Sequence, residues 1–197
     1  MPAPAIVIHR VNQRALLRQL PQQYGVEIDL RADGSVLILN HDPFKGGEKF
    51  VDWLENYQHG LLVLNIKEAG IEKEVIRLVE ARGVKEFFLL DVEFPYIYQA
   101  SRAGERRIAM RYSEDEAIET VMNYRGKVDW VWIDTNTRLP IDANIAAKLT
   151  GFQTCLVCPE RWHRPQDIGP YRARMRSLGF SPNAVMTSMA CAQAWLA

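Results

Sequence analysis

The sequence alternates short β-branched or aromatic runs with longer amphipathic runs, and this alternation restricts the fold more than any other feature. Eight runs are nearly continuous in apolar residues, as expected of strands that are covered on both faces. The predicted strands are residues 5–10, 26–31, 61–67, 86–92, 107–112, 129–134, 154–159 and 184–188. Strands that alternate with helices predict an α/β fold with parallel strands.

The amphipathic runs predict the helices between these strands. Residues 71–82 and 164–178 each end immediately before a glycine, which is a common helix terminator. The letters S-E-D-E at 113–116 have the pattern of a capping box and predict the start of another helix. An Asp-Gly pair at 33–34 predicts a turn, and a short extension follows over residues 36–39.

Eight strand–helix units predict a single-domain (β/α)₈ TIM barrel over residues 1–197, closed and compact. The 197 residues leave about 25 for each unit, which requires short loops. The alternative is a doubly wound open sheet, in which a glycine-rich phosphate turn is expected after a strand. The sequence contains no G-x-G-x-x-G or G-x-x-x-x-G-K-[ST] motif, so the barrel is favoured.

Charge and composition exclude several classes of protein. Lys plus Arg and Asp plus Glu are 24 each, so the net charge is zero and nucleic acid is not an expected partner. The C-x-x-C at 155–158 lies in a predicted buried strand and favours packing over a redox or zinc role. No apolar run approaches the ~18 residues of a membrane span, and no basic segment resembles a signal peptide, so a cytoplasmic protein is expected.

Glu27 and Asp29 stand two apart on one predicted strand, so both carboxylates point to the same face. Two adjacent inward carboxylates repel each other unless a cation neutralises them. A hard divalent ion such as Mg²⁺ or Ca²⁺ prefers oxygen ligands of this kind. A salt bridge from Arg31 or Lys67 is the alternative, and the spacing does not decide between them.

Two of the four histidines also fall at predicted strand ends. His9 ends the first strand and is followed by Arg10, and His41-Asp42 follows the extension after the second. Histidine takes and returns a proton readily near neutral pH, so this pair indicates general acid–base chemistry. His59 and His163 are interpreted as structural and surface residues, respectively.

The order H-R, then E-x-D, then H-D resembles the glycerophosphodiester phosphodiesterase family, within the phospholipase-C-like phosphodiesterases with TIM barrels. The match is clear from residue 6 to residue 67, about a third of the chain. The resemblance implies hydrolysis of a small-molecule phosphodiester by paired histidines with one divalent cation, Mg²⁺ or Ca²⁺ with Mn²⁺ as a further option. It assigns proton transfer to His9 and His41, metal binding to Glu27 and Asp29, and phosphate binding to Arg10 and Lys67, with Lys67 also a catalytic residue.

Three positions depart from the family pattern. Val11 replaces the glycine after H-R, the P-E-N-T segment is absent with Asn12 at its start, and Asn65 replaces a third metal carboxylate. A neutral Asn65 implies a weaker metal site, and Asp91 at the next strand end is a candidate for supplying the missing charge. The alternative function is a non-catalytic barrel that binds a phosphate-bearing ligand or a protein partner.

Overall fold

Each predicted strand is present, and the chain forms two compact units. The computed structural model describes residues 3–196. The first unit spans Val7–Gln99, and the second consists of the residues up to Ile6 together with those from Ala100 onward. The single-domain organisation expected from the sequence stays a prediction.

The first unit is built on parallel strands that follow one another in chain order. β1 (Ala5–Ile8) pairs with β2 (Gly25–Asp33), β2 pairs with β5 (Leu62–Ile66), and β5 pairs with β6 (Phe87–Leu90). All residues of β5 and β6 are buried, which explains why these strands are continuous apolar runs in the sequence.

An antiparallel hairpin extends one strand of the first unit. β2 continues to Asp33, turns at Gly34 in a left-handed conformation and returns as β3 (Val36–Leu39). β3 then pairs with the two-residue strand β4 (Glu48–Lys49). The turn and the extension predicted from the Asp-Gly pair are confirmed, and the pairing with β4 is an addition.

The second unit repeats the parallel arrangement. β7 (Ala109–Tyr112), β8 (Trp130–Ile133), β9 (Gln153–Val157) and β10 (Ala184–Thr187) pair in that order, all in parallel. Near the N-terminus of the chain, the backbone N–H of Ala5 donates to the carbonyl of Asn183 in the same unit.

The helices follow the strands along the chain. They are α1 (Arg14–Leu17), α2 (Phe50–Leu54), α3 (Glu72–Ala81), α4 (Phe94–Arg102), α5 (Ile118–Met122), α6 (Ala143–Leu149), α7 (Ile168–Ser177) and α8 (Met189–Leu196). The helices predicted over 71–82 and 164–178 are confirmed as α3 and as a 3₁₀ turn leading into α7. Among the described residues, no helix combines the length and apolar character that a bilayer crossing requires.

The capping box predicted at 113–116 is wrong. α5 begins after Ala117, and the Ser113 hydroxyl accepts from the N–H of Asp115 in a local turn. The Glu114 carboxylate accepts from the Thr137 hydroxyl at 2.7 Å, so a contact distant in sequence takes the place of the expected helix start.

Gly47 carries a specific packing constraint at the end of the β3–β4 loop. A Cβ at this position would lie 2.2 Å from the carbonyl oxygen of Leu39, a backbone atom that cannot move aside, whereas a Cβ at Gly46 would meet nothing within 4 Å. We expect Gly47→Ala to lower the free energy of unfolding by about 2–3 kcal/mol and Gly46→Ala by less than about 1 kcal/mol. Urea unfolding of both variants is the measurement, and equal losses would contradict the assigned close approach.

Candidate active site

A buried pair of carboxylates lies at the centre of the candidate site, on β2. Glu27 and Asp29 are 1% and 0% exposed and point to the same side of the strand. Asp29 is the register partner of Asn65 on β5, so the amide of Asn65 lies on that side as well. Burying two charges in this way requires partners for each carboxylate oxygen.

Glu27 is held by one donor from β5 and one from the turn after β1. Its Oε1 accepts from Asn65 Nδ2 and its Oε2 accepts from the backbone N–H of Arg10, both at 2.8 Å. His9 Nε2 lies 3.8 Å from Glu27 Oε2. The structure therefore brings together three residues that the sequence proposed for the site, together with the backbone of a fourth.

Asp29 has a different set of partners. Asn12 binds it twice: Asn12 Nδ2 donates to Asp29 Oδ2, and the Asp29 backbone N–H donates to Asn12 Oδ1, both at 2.8 Å. Lys67 Nζ lies 3.4 Å from Asp29 Oδ1 and 3.3 Å from Asp91 Oδ2. Asp91, considered as a further metal ligand, is thus engaged with the ammonium of Lys67.

The turn after β1 accommodates the loss of the family glycine. Arg10 takes the left-handed conformation with a φ of 55°, and Val11 is not among the residues with positive φ. Val11 is buried, its N–H donates to the Glu27 carbonyl at 2.9 Å, and its carbonyl accepts from the indole of Trp53 at 3.0 Å. A β-branched side chain is tolerated at position 11 because the strained residue is the preceding one.

The second histidine lies on the loop between β3 and β4. His41 Nδ1 is 3.0 Å from Asp42 Oδ1, and Lys45 Nζ donates to the other carboxylate oxygen at 2.8 Å. These hydrogen bonds lower the pKa of Asp42 to about 2, with the bond from His41 the larger cause. An ionised carboxylate only accepts, so Nδ1 of His41 is the donor in this contact, which leaves Nε2 as the acceptor in the neutral tautomer.

Arg31 connects this loop to the end of β5. Its guanidinium donates to the His41 carbonyl at 2.9 Å and to the Lys67 carbonyl at 3.2 Å. The sequence left a salt bridge from Arg31 or Lys67 to the carboxylates open as the alternative to a divalent ion, and Lys67 forms one with Asp29 whereas Arg31 does not. Instead, the guanidinium fork binds backbone carbonyls and holds two site segments together.

A groove of about 440 Å³ is lined by two of the residues proposed for the site, Arg10 and His41. Its size is in the range of small-molecule sites. Among the residues that the structure describes, none pairs with the Arg10 guanidinium, so this charge is available to an anionic ligand in the groove.

The oxygen atoms around Glu27 and Asp29 fit a hard divalent cation. Asp29 Oδ1 and Asn65 Oδ1 are buried and, within residues 3–196, accept no hydrogen bond. Among the described residues, Asn65 Oδ1 has no donor, which costs about 1–3 kcal/mol, and Asp29 Oδ1 has only the Lys67 ammonium at 3.4 Å. A divalent cation would be a partner for both oxygens. No group of three or more His, Cys, Asp or Glu side chains in the described chain is arranged for a metal, so such a site depends on the amide oxygen of Asn65.

Two features of the site were not predictable from local sequence. Asn12 reads as a surface residue after a strand, and its double contact with Asp29 exists only because β1 and β2 are neighbours. The hydrogen bond from the backbone N–H of Arg10 to Glu27 cannot be predicted from the sequence, because any residue except proline carries this N–H. A polar residue shortly after the H-R pair was the one available signal for Asn12.

Comparison with known proteins shows that the chain has the same fold as several solved structures. No protein-family model matches the sequence, and the search of curated proteins finds no match. Solved structures do match. A glycerophosphodiester phosphodiesterase from Agrobacterium tumefaciens has a TM-score of 0.68 at 17% identity, covering 98% of this chain and 100% of that one.

Two further structures agree. A glycerophosphoryl diester phosphodiesterase from Parabacteroides distasonis has a TM-score of 0.64 at 12% identity, covering 94% of this chain and 82% of that one. A phosphodiesterase from Oleispira antarctica, solved with the product sn-glycerol-3-phosphate, has a TM-score of 0.61 at 15% identity, covering 93% and 92%. The chain therefore has the fold of these phosphodiesterases, and the predicted (β/α)₈ fold class is confirmed.

Burial makes the stability of the site depend on pH. Desolvation, followed by repulsion from Asp29, raises the pKa of Glu27 from 4.5 to about 7. A carboxyl whose pKa is raised in the folded state stabilises the protein below pH 4.5 and loses that contribution as the pH rises through 7. With divalent ions chelated, we expect the free energy of unfolding to fall by about 3 kcal/mol between pH 4.5 and 8 on account of this group.

Urea unfolding of Glu27→Gln in chelator is the measurement. The variant carries no titrating group at this position, so its stability should change less with pH than that of the wild type. Glu55→Gln, at an exposed position, is the matched control. A wild-type pH profile retained in Glu27→Gln would contradict the assignment.

Proposed function

We propose that the protein is a phosphodiester hydrolase that acts on a small, glycerophosphodiester-like substrate. The observation that carries this proposal is the convergence of His9, Asn65 and Lys67 on the buried carboxylates of Glu27 and Asp29. The likeness of the whole chain to solved phosphodiesterases supports it.

The charges of the site suit a phosphodiester. Such a substrate is anionic, and further negative charge develops on its phosphoryl oxygens during reaction. Arg10 lines the groove, and Lys67 lies within 3.4 Å of two carboxylates from which it can turn toward a phosphoryl group. Both cations would compensate the developing charge.

The two histidines divide the proton transfers in this proposal. In its neutral form His41 carries its proton on Nδ1, against Asp42, so Nε2 is the atom that would take a proton from the attacking nucleophile. His9 then protonates the leaving oxygen. Arg31 keeps the His41 loop at a fixed position relative to the end of β5 while this happens.

Glu27, Asp29 and the amide oxygen of Asn65 would hold one divalent cation, with Mg²⁺, Ca²⁺ or Mn²⁺ as candidates. When bound, such an ion supplies Lewis acidity to a phosphoryl oxygen. Asn65 has a second task in this chain, since its Nδ2 orients Glu27.

Substitution of the histidines tests the catalytic assignment. We expect His9→Ala and His41→Ala each to lower the hydrolysis rate by ~10²–10⁴-fold, and the double variant to lose less than the product, because both act on one proton relay. The assay measures initial rates on glycerophosphodiesters and an aryl phosphodiester with each of the three metals. His163→Ala, at an exposed position after a 3₁₀ helix, is the control.

Two outcomes would contradict the proposal. Wild-type rates in both single variants would show that the site is elsewhere. A wild type that hydrolyses none of the diesters would favour a non-catalytic, ligand-binding barrel, which the neutral Asn65 makes the second candidate.

Asn65→Glu tests the metal site without relying on activity. A third carboxylate should tighten binding of Mg²⁺ or Ca²⁺ in calorimetry, because it adds a charge to the ligand set. The same variant should melt at a lower temperature than the wild type in chelator, since it replaces the donor to Glu27 by a like charge. Unchanged or weaker cation binding in a folded variant would count against the ligand assignment.

A further inference from the structure

The groove beside Arg10 and His41 has walls of opposite charge. Its polar lining residues include Arg10, Asn12, Gln13, His41, Asp42 and Glu48. Arg10 supplies a positive charge without a partner among the described residues, whereas Asp42 and Glu48 supply negative charges. Gly46 and Gly47 leave part of the wall without side chains.

The two carboxylates are not equally available to a ligand. Both oxygens of Asp42 are engaged, one with His41 and one with Lys45. Glu48 accepts from Arg14 through Oε2 alone, at 2.8 Å from Nε and 3.2 Å from the backbone nitrogen. Within the described chain no hydrogen bond reaches Glu48 Oε1, and the side chain is 30% exposed.

The lining also discriminates between kinds of cation. A quaternary ammonium group cannot donate a hydrogen bond and is typically held against aromatic faces. No Phe, Tyr or Trp lines the groove. A carboxylate oxygen that lacks a donor suits instead a primary ammonium group, which offers three donors.

We propose that this groove selects a phosphodiester whose alcohol ends in a primary ammonium group, with Arg10 on the phosphoryl oxygens and Glu48 on the ammonium. The proposal rests on the proposed hydrolase function and adds the substrate class to it. Amino-alcohol diesters of the ethanolamine type are therefore preferred over diesters with a neutral polyol or a quaternary ammonium.

The test compares kcat/KM for three diesters with the same glycerophosphoryl half: glycerophosphoethanolamine, glycerophosphocholine and glycerophosphoglycerol. We expect a preference of about fivefold for the ethanolamine diester in the wild type, the size of a partly exposed ion pair. Glu48→Gln should abolish this preference. Arg14→Gln should increase it, because it removes the guanidinium that competes for the same carboxylate.

The matched controls are Glu74→Gln and Arg77→Gln, which break an equivalent ion pair on the surface of α3 and should leave the preference unchanged. A wild type without preference for the ethanolamine diester, or a preference that survives Glu48→Gln, would overturn the proposal. If the wild type hydrolyses none of the diesters, the hydrolase function fails. Calorimetry then tests the ligand preference of the groove independently of activity. Tighter, Glu48-dependent binding of glycerophosphoethanolamine than of glycerophosphoglycerol would support the assignment, and its absence would overturn it.

Discussion

The burial of two like charges on one strand is the constraint around which the first unit is arranged. Glu27 and Asp29 are enclosed, so each needs hydrogen-bond donors or a cation that the surrounding elements must supply. The amides of Asn12 and Asn65 come from the segments on either side of β2, and the ammonium of Lys67 from the end of β5. The arrangement is costly to stability, and costs of this kind are typical of functional sites.

The replacement of a carboxylate by Asn65 changes how this site is held together. An amide brings both a donor and an acceptor, so it can orient Glu27 through Nδ2 and still offer an oxygen to a ligand. A carboxylate at the same place could only accept and would add repulsion. In the proposed metal site, the amide at position 65 would therefore bind a cation less tightly than a carboxylate, while Glu27 is already oriented by side chains of the protein.

The elements of the fold follow from local patterns, whereas the contacts between them do not. Apolar runs and glycine stops located the strands and α3, because burial and termination are local properties. The expected helix start at Ser113 failed because Glu114 binds Thr137, which is remote in the sequence. The residues proposed for the site came from strand-end positions and from the resemblance to a known family, whereas Asn12 gains its contact with Asp29 only when two strands lie side by side.

Every residue assigned to the candidate chemistry lies between His9 and Asp91, within the first of the two units. These residues form one continuous stretch of the sequence, so a single recombination event with a breakpoint near Ala100 would transmit the groups proposed for proton transfer, phosphate binding and ion binding together. Drift in the segment beyond that breakpoint does not alter these groups directly. An exchange of chain segments at that breakpoint would therefore carry the proposed reacting groups as one set, with none of them left on the other segment.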